Sequence, residues 1–176
     1  FFSDGRYTEQ AKNQVSDFQI HITPNHFKEI QNIGVLKKKM NIAFEADHLS
    51  VSTFEKLRND FDVNLEPTSS IIENIAAIKD QYEISCLKTA IEITDLAFDL
   101  IIPDLKMGVT EKEIAAKLAY IFKTNGAEGE SYDSIIGSGA NGALPHATPS
   151  DKKFESGDFV VMDFGALYRG YHADMT

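Results

Sequence analysis

A chain of 176 residues with 43% hydrophobic and 25% charged side chains has enough apolar material for a packed core, which excludes wholesale disorder and leaves room for one domain or two small ones. Seventeen Lys and Arg against 27 Asp and Glu give a net charge of −10, the wrong sign for neutralising phosphates, so no nucleic-acid partner is expected. No apolar run approaches the roughly 18 residues that cross a bilayer, and the lone Cys86 cannot close an internal disulfide, which fits a cytoplasmic protein.

The opening Phe1-Phe2-Ser3-Asp4-Gly5 reads as the end of a strand and its turn rather than a natural start, so a fragment is expected. Residues 1–65 then alternate short helical and strand patterns, the signature of an α/β layer. Thr8 to Val15 suits a helix, and Phe18 to Ile22 alternates with a period of two as a half-buried strand should. His26 to Ile33 is helical with Gly34 as its cap, Met40 to Phe44 a strand, Ser52 to Asn59 a helix and Phe61 to Leu65 a strand. Glu66-Pro67-Thr68-Ser69-Ser70 has linker composition, with Ser69 or Ser70 placed to cap the next helix, so the domains are expected at 1–66 and 67–176.

The strongest helix comes next. Ile84, Leu87, Ile91, Thr94, Phe98 and Ile101 recur in steps of three and four and define its expected buried face, and Pro103 and Gly108 end it. Thr110-Glu111-Lys112-Glu113 is a capping box opening a second helix that buries Ile114, Leu118 and Ile121 and ends at Asn125-Gly126. Ser131 to Ile136 reads as a strand and Gly137 to Gly142 as a flexible loop leading to Leu144-Pro145-His146. That loop lacks the Lys-Ser/Thr ending of a phosphate-binding loop, so no nucleotide is expected. Asp158 to Phe164 is an apolar strand and Tyr171 to Thr176 its partner.

An aspartate inside an apolar strand needs a partner, because an isolated buried charge is strongly unfavourable. A tight hairpin centred on Tyr168 and Arg169 would place Asp163 directly opposite Asp174, with β-carbons about 5 Å apart. Two facing carboxylates repel unless a cation sits between them, so the hairpin reads as half of a metal site. On spacing alone, one of the two can equally well face solvent at a turn.

Several motifs, in order, then resemble a known family. Phe2-Ser3-Asp4-Gly5-Arg6-Tyr7, Ile78-Lys79-Asp80, Gly108-Val109-Thr110-Glu111, Gly137-Ser138-Gly139 with Asn141 and Leu144-Pro145-His146, Met162-Asp163-Phe164-Gly165-Ala166 and Gly170-Tyr171-His172-Ala173-Asp174 resemble the pita-bread metallopeptidases, and among them the Xaa-Pro dipeptidases and Xaa-Pro aminopeptidases. The resemblance implies an α+β pita-bread catalytic domain, incomplete at its C-terminus, after part of an α/β creatinase-type N-terminal domain. It implies two divalent ions, Mn²⁺ or Co²⁺, with Asp163 on one and Asp174 bridging both, and His146 as the hydrogen-bond donor to the tetrahedral intermediate. It further implies hydrolysis of Xaa-Pro bonds in short peptides and a homodimer. The dipeptidase is favoured because the N-terminal segment is short.

His172 shares strand parity with Asp174, yet the family does not use that position as a ligand, which leaves it an outer or surface role. His21, His26 and His48 have no carboxylates in ligand spacing and read as structural. The family's remaining ligands, a His and two Glu, fall beyond Thr176, so the fragment itself is expected to be inactive. The alternative is a non-catalytic pita-bread peptide-binding or chaperone-like module, a class that tends to lose the ligand carboxylates.

Overall fold

The computed structural model describes residues 1–176, in two compact units, Phe1–Ala77 and Ile78–Thr176. The division falls later than the expected step at 66/67 for a simple reason. Glu66, Pro67 and Thr68 are not linker but the end of a strand, in register with Ala43, Phe44 and Glu45.

The first unit runs β1 (Phe2–Ser3), α1 (Thr8–Gln14), β2 (His21–Ile22), α2 (His26–Ile33), β3 (Asn41–Glu45), α3 (Val51–Asp60), β4 (Asn64–Thr68) and α4 (Ile71–Ala76). β1 pairs with β2 and β3 with β4, both parallel and each joined through a helix, as the alternating pattern requires. Asn25 and Ser50 cap α2 and α3 through their side chains, and Gly34 ends α2 in the left-handed conformation at φ 63°. Only the last two residues of the expected Phe18–Ile22 strand are paired. Ser70 does not cap α4 through its side chain; it sits at φ 59° ahead of a helix of six residues.

The second unit opens with α5 (Gln81–Ile101), started by a capping box in which Asp80 and Glu83 satisfy each other's backbone N–H groups. α6 (Glu111–Thr124) starts with the expected Thr110–Glu113 box. Five short strands complete the unit: β5 (Gly129–Glu130), β6 (Ile135–Ser138), β7 (Val160–Asp163), β8 (Ala166–Tyr168) and β9 (Tyr171–His172). They form an antiparallel β5-β8-β9 sheet and a β6-β7 pair, giving the α+β class expected for this half. No helix is long and apolar enough to cross a membrane.

The buried face of α5 is rotated from the one its large side chains suggested. Cys86, Ala90, Ile93, Thr94, Ala97 and Ile101 are buried, while Ile91 and Phe98 are 49% and 38% exposed. Small residues win the inner positions because the sheet backbone comes close: the Ala166 N–H donates to Thr94 Oγ1 at 3.0 Å. Ile101, Ile114, Leu118, Phe122, Ile136 and Phe164 form the core, with the Phe122 and Phe164 rings 6.1 Å apart.

Leu118 is fully buried at the centre of that cluster, so Leu118→Ala is expected to destabilise the protein by about 2–5 kcal/mol in urea unfolding followed by circular dichroism.

Candidate functional site

The site is built on the β8–β9 hairpin, whose register differs from expectation by two residues. Leu167 pairs with His172, Tyr168 with Tyr171, and an isolated bridge joins Phe164 to Met175. The turn therefore centres on Arg169 and Gly170, at φ 49° and 79°, rather than on Tyr168 and Arg169. A two-residue hairpin turn of this hand needs positive φ at both central positions, which Gly170 supplies freely and a bulky Tyr168 would resist.

In this register Gly165, not Asp163, stands opposite Asp174. Asp163 is the diagonal neighbour of Asp174, and because the shift is two residues both aspartates keep the same face. Gly165 makes that diagonal short. A β-carbon there would lie 1.9 Å from the Ala173 carbonyl oxygen, so only glycine lets the strands close at this point.

A third side chain joins the aspartates. Gly129 pairs with Leu167 and Ile135 with Asp163, so six steps along one chain match four along the other. The excess bulges out at Tyr132 and its neighbours, interrupting the strand expected over 131–136. Tyr132 Oη contacts Asp174 Oδ1 at 2.7 Å and also Asp163 Oδ1. A phenol has one proton, so two anionic oxygens converge on a point where a single donor serves both. Burial first, and then the two carboxylates, push the Tyr132 hydroxyl pKa far up, so it stays protonated. Neither aspartate forms an ion pair with Lys, Arg or His.

His146 comes after the 3₁₀ turn Gly139–Ala143 and is exposed. It lines a cleft of about 490 Å³ together with Tyr132, Ile135, Pro149 and Asp163. The structure thus brings His146 and Asp163 to one cleft and ties Asp174 to it through Tyr132. His172 is exposed and is not among the cleft residues. In the first unit His21 stacks on Phe2 and approaches Glu29 at 3.3 Å, as suits a structural ring.

Hard oxygen donors converging without a cation partner fit a divalent ion such as Mn²⁺ better than a soft metal. They are a partial set, since no group of three or more His, Cys, Asp and Glu side chains is clustered anywhere in the chain.

A second anionic centre lies at the start of α6. Glu111, fully buried, accepts from Ser138 N at 2.7 Å and Ser138 Oγ at 2.9 Å on Oε1, and from Ser150 N at 3.0 Å and Ser150 Oγ at 2.6 Å on Oε2. Asn141 Nδ2 donates to both oxygens at 3.1 Å. Lys152 Nζ donates to Ser138 Oγ at 3.0 Å and pairs with Asp158 at 2.7 Å. Burial raises the Glu111 pKa, but the hydrogen bonds from Ser150, Ser138 and Asn141 outweigh it and bring it down to about 2. Sequence alone did not single out Tyr132 or Glu111 as a site residue. Tyr132 sat inside an apparent strand, and Glu111 looked like one more acidic residue in a capping box.

Comparison with known proteins agrees with this architecture. Residues 1–78 match the creatinase/prolidase N-terminal domain and residues 85–176 match metallopeptidase family M24. An Xaa-Pro dipeptidase of Pyrococcus furiosus is 39% identical over 97% of this chain and 49% of its own. The solved prolidase from Pyrococcus furiosus superposes with a TM-score of 0.89 at 34% identity, covering 98% of this chain and 53% of the prolidase. The X-Pro aminopeptidase from Thermotoga maritima gives 0.82 at 37% identity, over 98% of this chain and 50% of its own. The chain therefore spans about half the length of the relatives it matches.

Two measurements check the geometry. Gly165→Ala is expected to destabilise the protein by at least about 1–3 kcal/mol in chemical unfolding, because the new methyl meets backbone rather than a movable side chain. The depressed Glu111 pKa contributes stability that is present above its unfolded value of 4.5 and lost as the pH falls through about 2. The stability gap between the wild-type protein and Glu111→Gln, measured by urea unfolding at stepped pH, should therefore narrow across that window.

Proposed function

Because the chain belongs to metallopeptidase family M24, we propose that it supplies the first carboxylate ligands and the histidine of a metal-dependent peptidase that cleaves Xaa-Pro bonds. One observation carries the reading: Asp163 and Asp174 converge on a single point beside the His146 cleft with no cation of the protein's own to balance them. Asp163 and Asp174 would hold the ions, Mn²⁺ or Co²⁺, together with further His and Glu donors. When bound, two divalent ions polarise the scissile carbonyl and activate water for attack.

The chain's own residues do the remaining work. Tyr132 fixes the rotamers of both aspartates through one hydroxyl, so they are aligned before any ion arrives. His146 stands on the exposed side of the same cleft, where an imidazole N–H can donate to the oxygen that becomes negative as the carbonyl turns tetrahedral. A dedicated site is needed because proline's tertiary amide and fixed φ exclude the extended, N–H-donating pose that general peptidases require.

A dipeptide is the favoured substrate on the dipeptidase name of the Pyrococcus furiosus relative, while the Thermotoga maritima structure bears an aminopeptidase name. A cytoplasmic setting is inferred from Cys86, which is buried and in no disulfide, and a homodimer from family likeness alone. With two carboxylates as its share of the ligands, the 176-residue chain by itself is expected to be inactive.

In the full-length protein, Asp174→Asn and Asp163→Asn should each lower Mn²⁺-dependent Ala-Pro hydrolysis by about 10²-fold or more while the circular dichroism spectrum stays unchanged. A chelator should abolish the wild-type activity and added Mn²⁺ restore it. Wild-type rates from a folded Asp174→Asn enzyme would sink the assignment.

A further inference from the structure

Glu111 lies outside the cleft, yet its two oxygens grip the two ends of one segment. Oε1 holds Ser138, where β6 ends, and Oε2 holds Ser150, beyond the histidine. Asn141 spans both oxygens from within the segment. His146 is carried between those anchors on a stretch with no strand pairing of its own, from the 3₁₀ turn at Gly139–Ala143 to Ser150. Within the loop, Leu144 N donates to the Asn141 carbonyl at 3.0 Å, Ala147 N to the Leu144 carbonyl at 3.2 Å, and Asn141 Nδ2 to Ser150 Oγ at 3.4 Å. Lys152 seals the network from the far side, donating to Ser138 Oγ and pairing with Asp158.

From this geometry we infer that Glu111 is a positioning residue: its buried carboxylate closes the 138–150 loop and thereby sets where His146 stands over the cleft. The carboxylate is uniquely suited to the task because both grips include a backbone N–H. Each hydroxyl already donates to Glu111 while accepting, Ser138 Oγ from Lys152 Nζ and Ser150 Oγ from the Lys152 N–H at 3.1 Å. A Gln side chain has one carbonyl oxygen and one NH₂, so at one end two donors must face each other, and a backbone N–H cannot reverse its role. The inference rests on the reading of His146 as the oxyanion donor only for its catalytic consequence, not for the loop closure.

The test has two arms. Hydrogen exchange on the 176-residue protein reads the closure directly. In Glu111→Gln, amides from 138 to 150 should exchange about tenfold or more faster than in the wild type, while those of α5 and the middle of α6 keep their protection. Unchanged exchange in that segment with the helices intact would overturn the inference. Should Glu111→Gln not fold, Ser150→Ala decides instead: it keeps the carboxylate and should speed exchange from 144 to 150, and no change there overturns the closure. The second arm is a double-mutant cycle in the full-length enzyme on Ala-Pro. Glu111→Gln is expected to lower kcat by roughly 10–100-fold with KM little changed, and to slow the His146→Ala enzyme no further. Additive losses would show that Glu111 acts other than through His146. An inactive full-length protein would count against the peptidase reading alone and leave the exchange result to judge the loop.

Discussion

Everything in the candidate site depends on two like charges held at close range on one sheet face. Asp163 and Asp174 are kept there by backbone, not by attraction to each other. The hairpin register is fixed by the left-handed pair Arg169 and Gly170, and the approach by the missing side chain of Gly165. Repulsion between carboxylates near a protein surface amounts to a few kcal/mol at most, which a well-packed hairpin over Phe164 and Ala166 can bear. The arrangement is thus stable enough to form and electrostatically incomplete, and on that combination the proposed metal role rests.

How much of this was legible in the sequence depends on what each feature is local to. The capping box at Thr110–Glu113 was readable because it is contained in four residues, and so was the Gly34 cap. The shared face of Asp163 and Asp174 was readable too, and it survived a wrong register because a slip of two residues preserves strand parity. The turn itself was misplaced by one position, since the choice between Tyr168-Arg169 and Arg169-Gly170 turns on which residue tolerates positive φ.

Features that depend on a neighbour were not readable. The inner face of α5 is set by how closely the sheet backbone approaches, so Ala90, Thr94 and Ala97 displaced Ile91 and Phe98 from it. Tyr132 reaches the aspartates only because its strand carries excess residues relative to a partner some thirty positions later. Glu66 to Thr68 looked like a linker because Pro is rare in strands, whereas β4 pairs only with β3 and leaves the Pro67 position at an edge. In each case local chemistry was compatible with two structures and a distant contact chose between them.

The two anionic centres differ in how completely their carboxylates are satisfied. Glu111 is saturated: backbone and hydroxyl donors of Ser138 and Ser150 and the amide of Asn141 surround it, and nothing is left to bind a further group. Asp163 and Asp174 have the opposite arrangement, one phenolic proton between two full charges at the edge of an open cleft. A carboxylate whose purpose is to hold the chain gains most from complete neutral donation, because burial is tolerable only when its lone pairs are used. A carboxylate whose purpose is to take an ion must keep lone pairs free and accept instability in their absence. By that criterion the stability of this loop and the proposed metal role of this hairpin are set by different residues, and a substitution can change one while sparing the other.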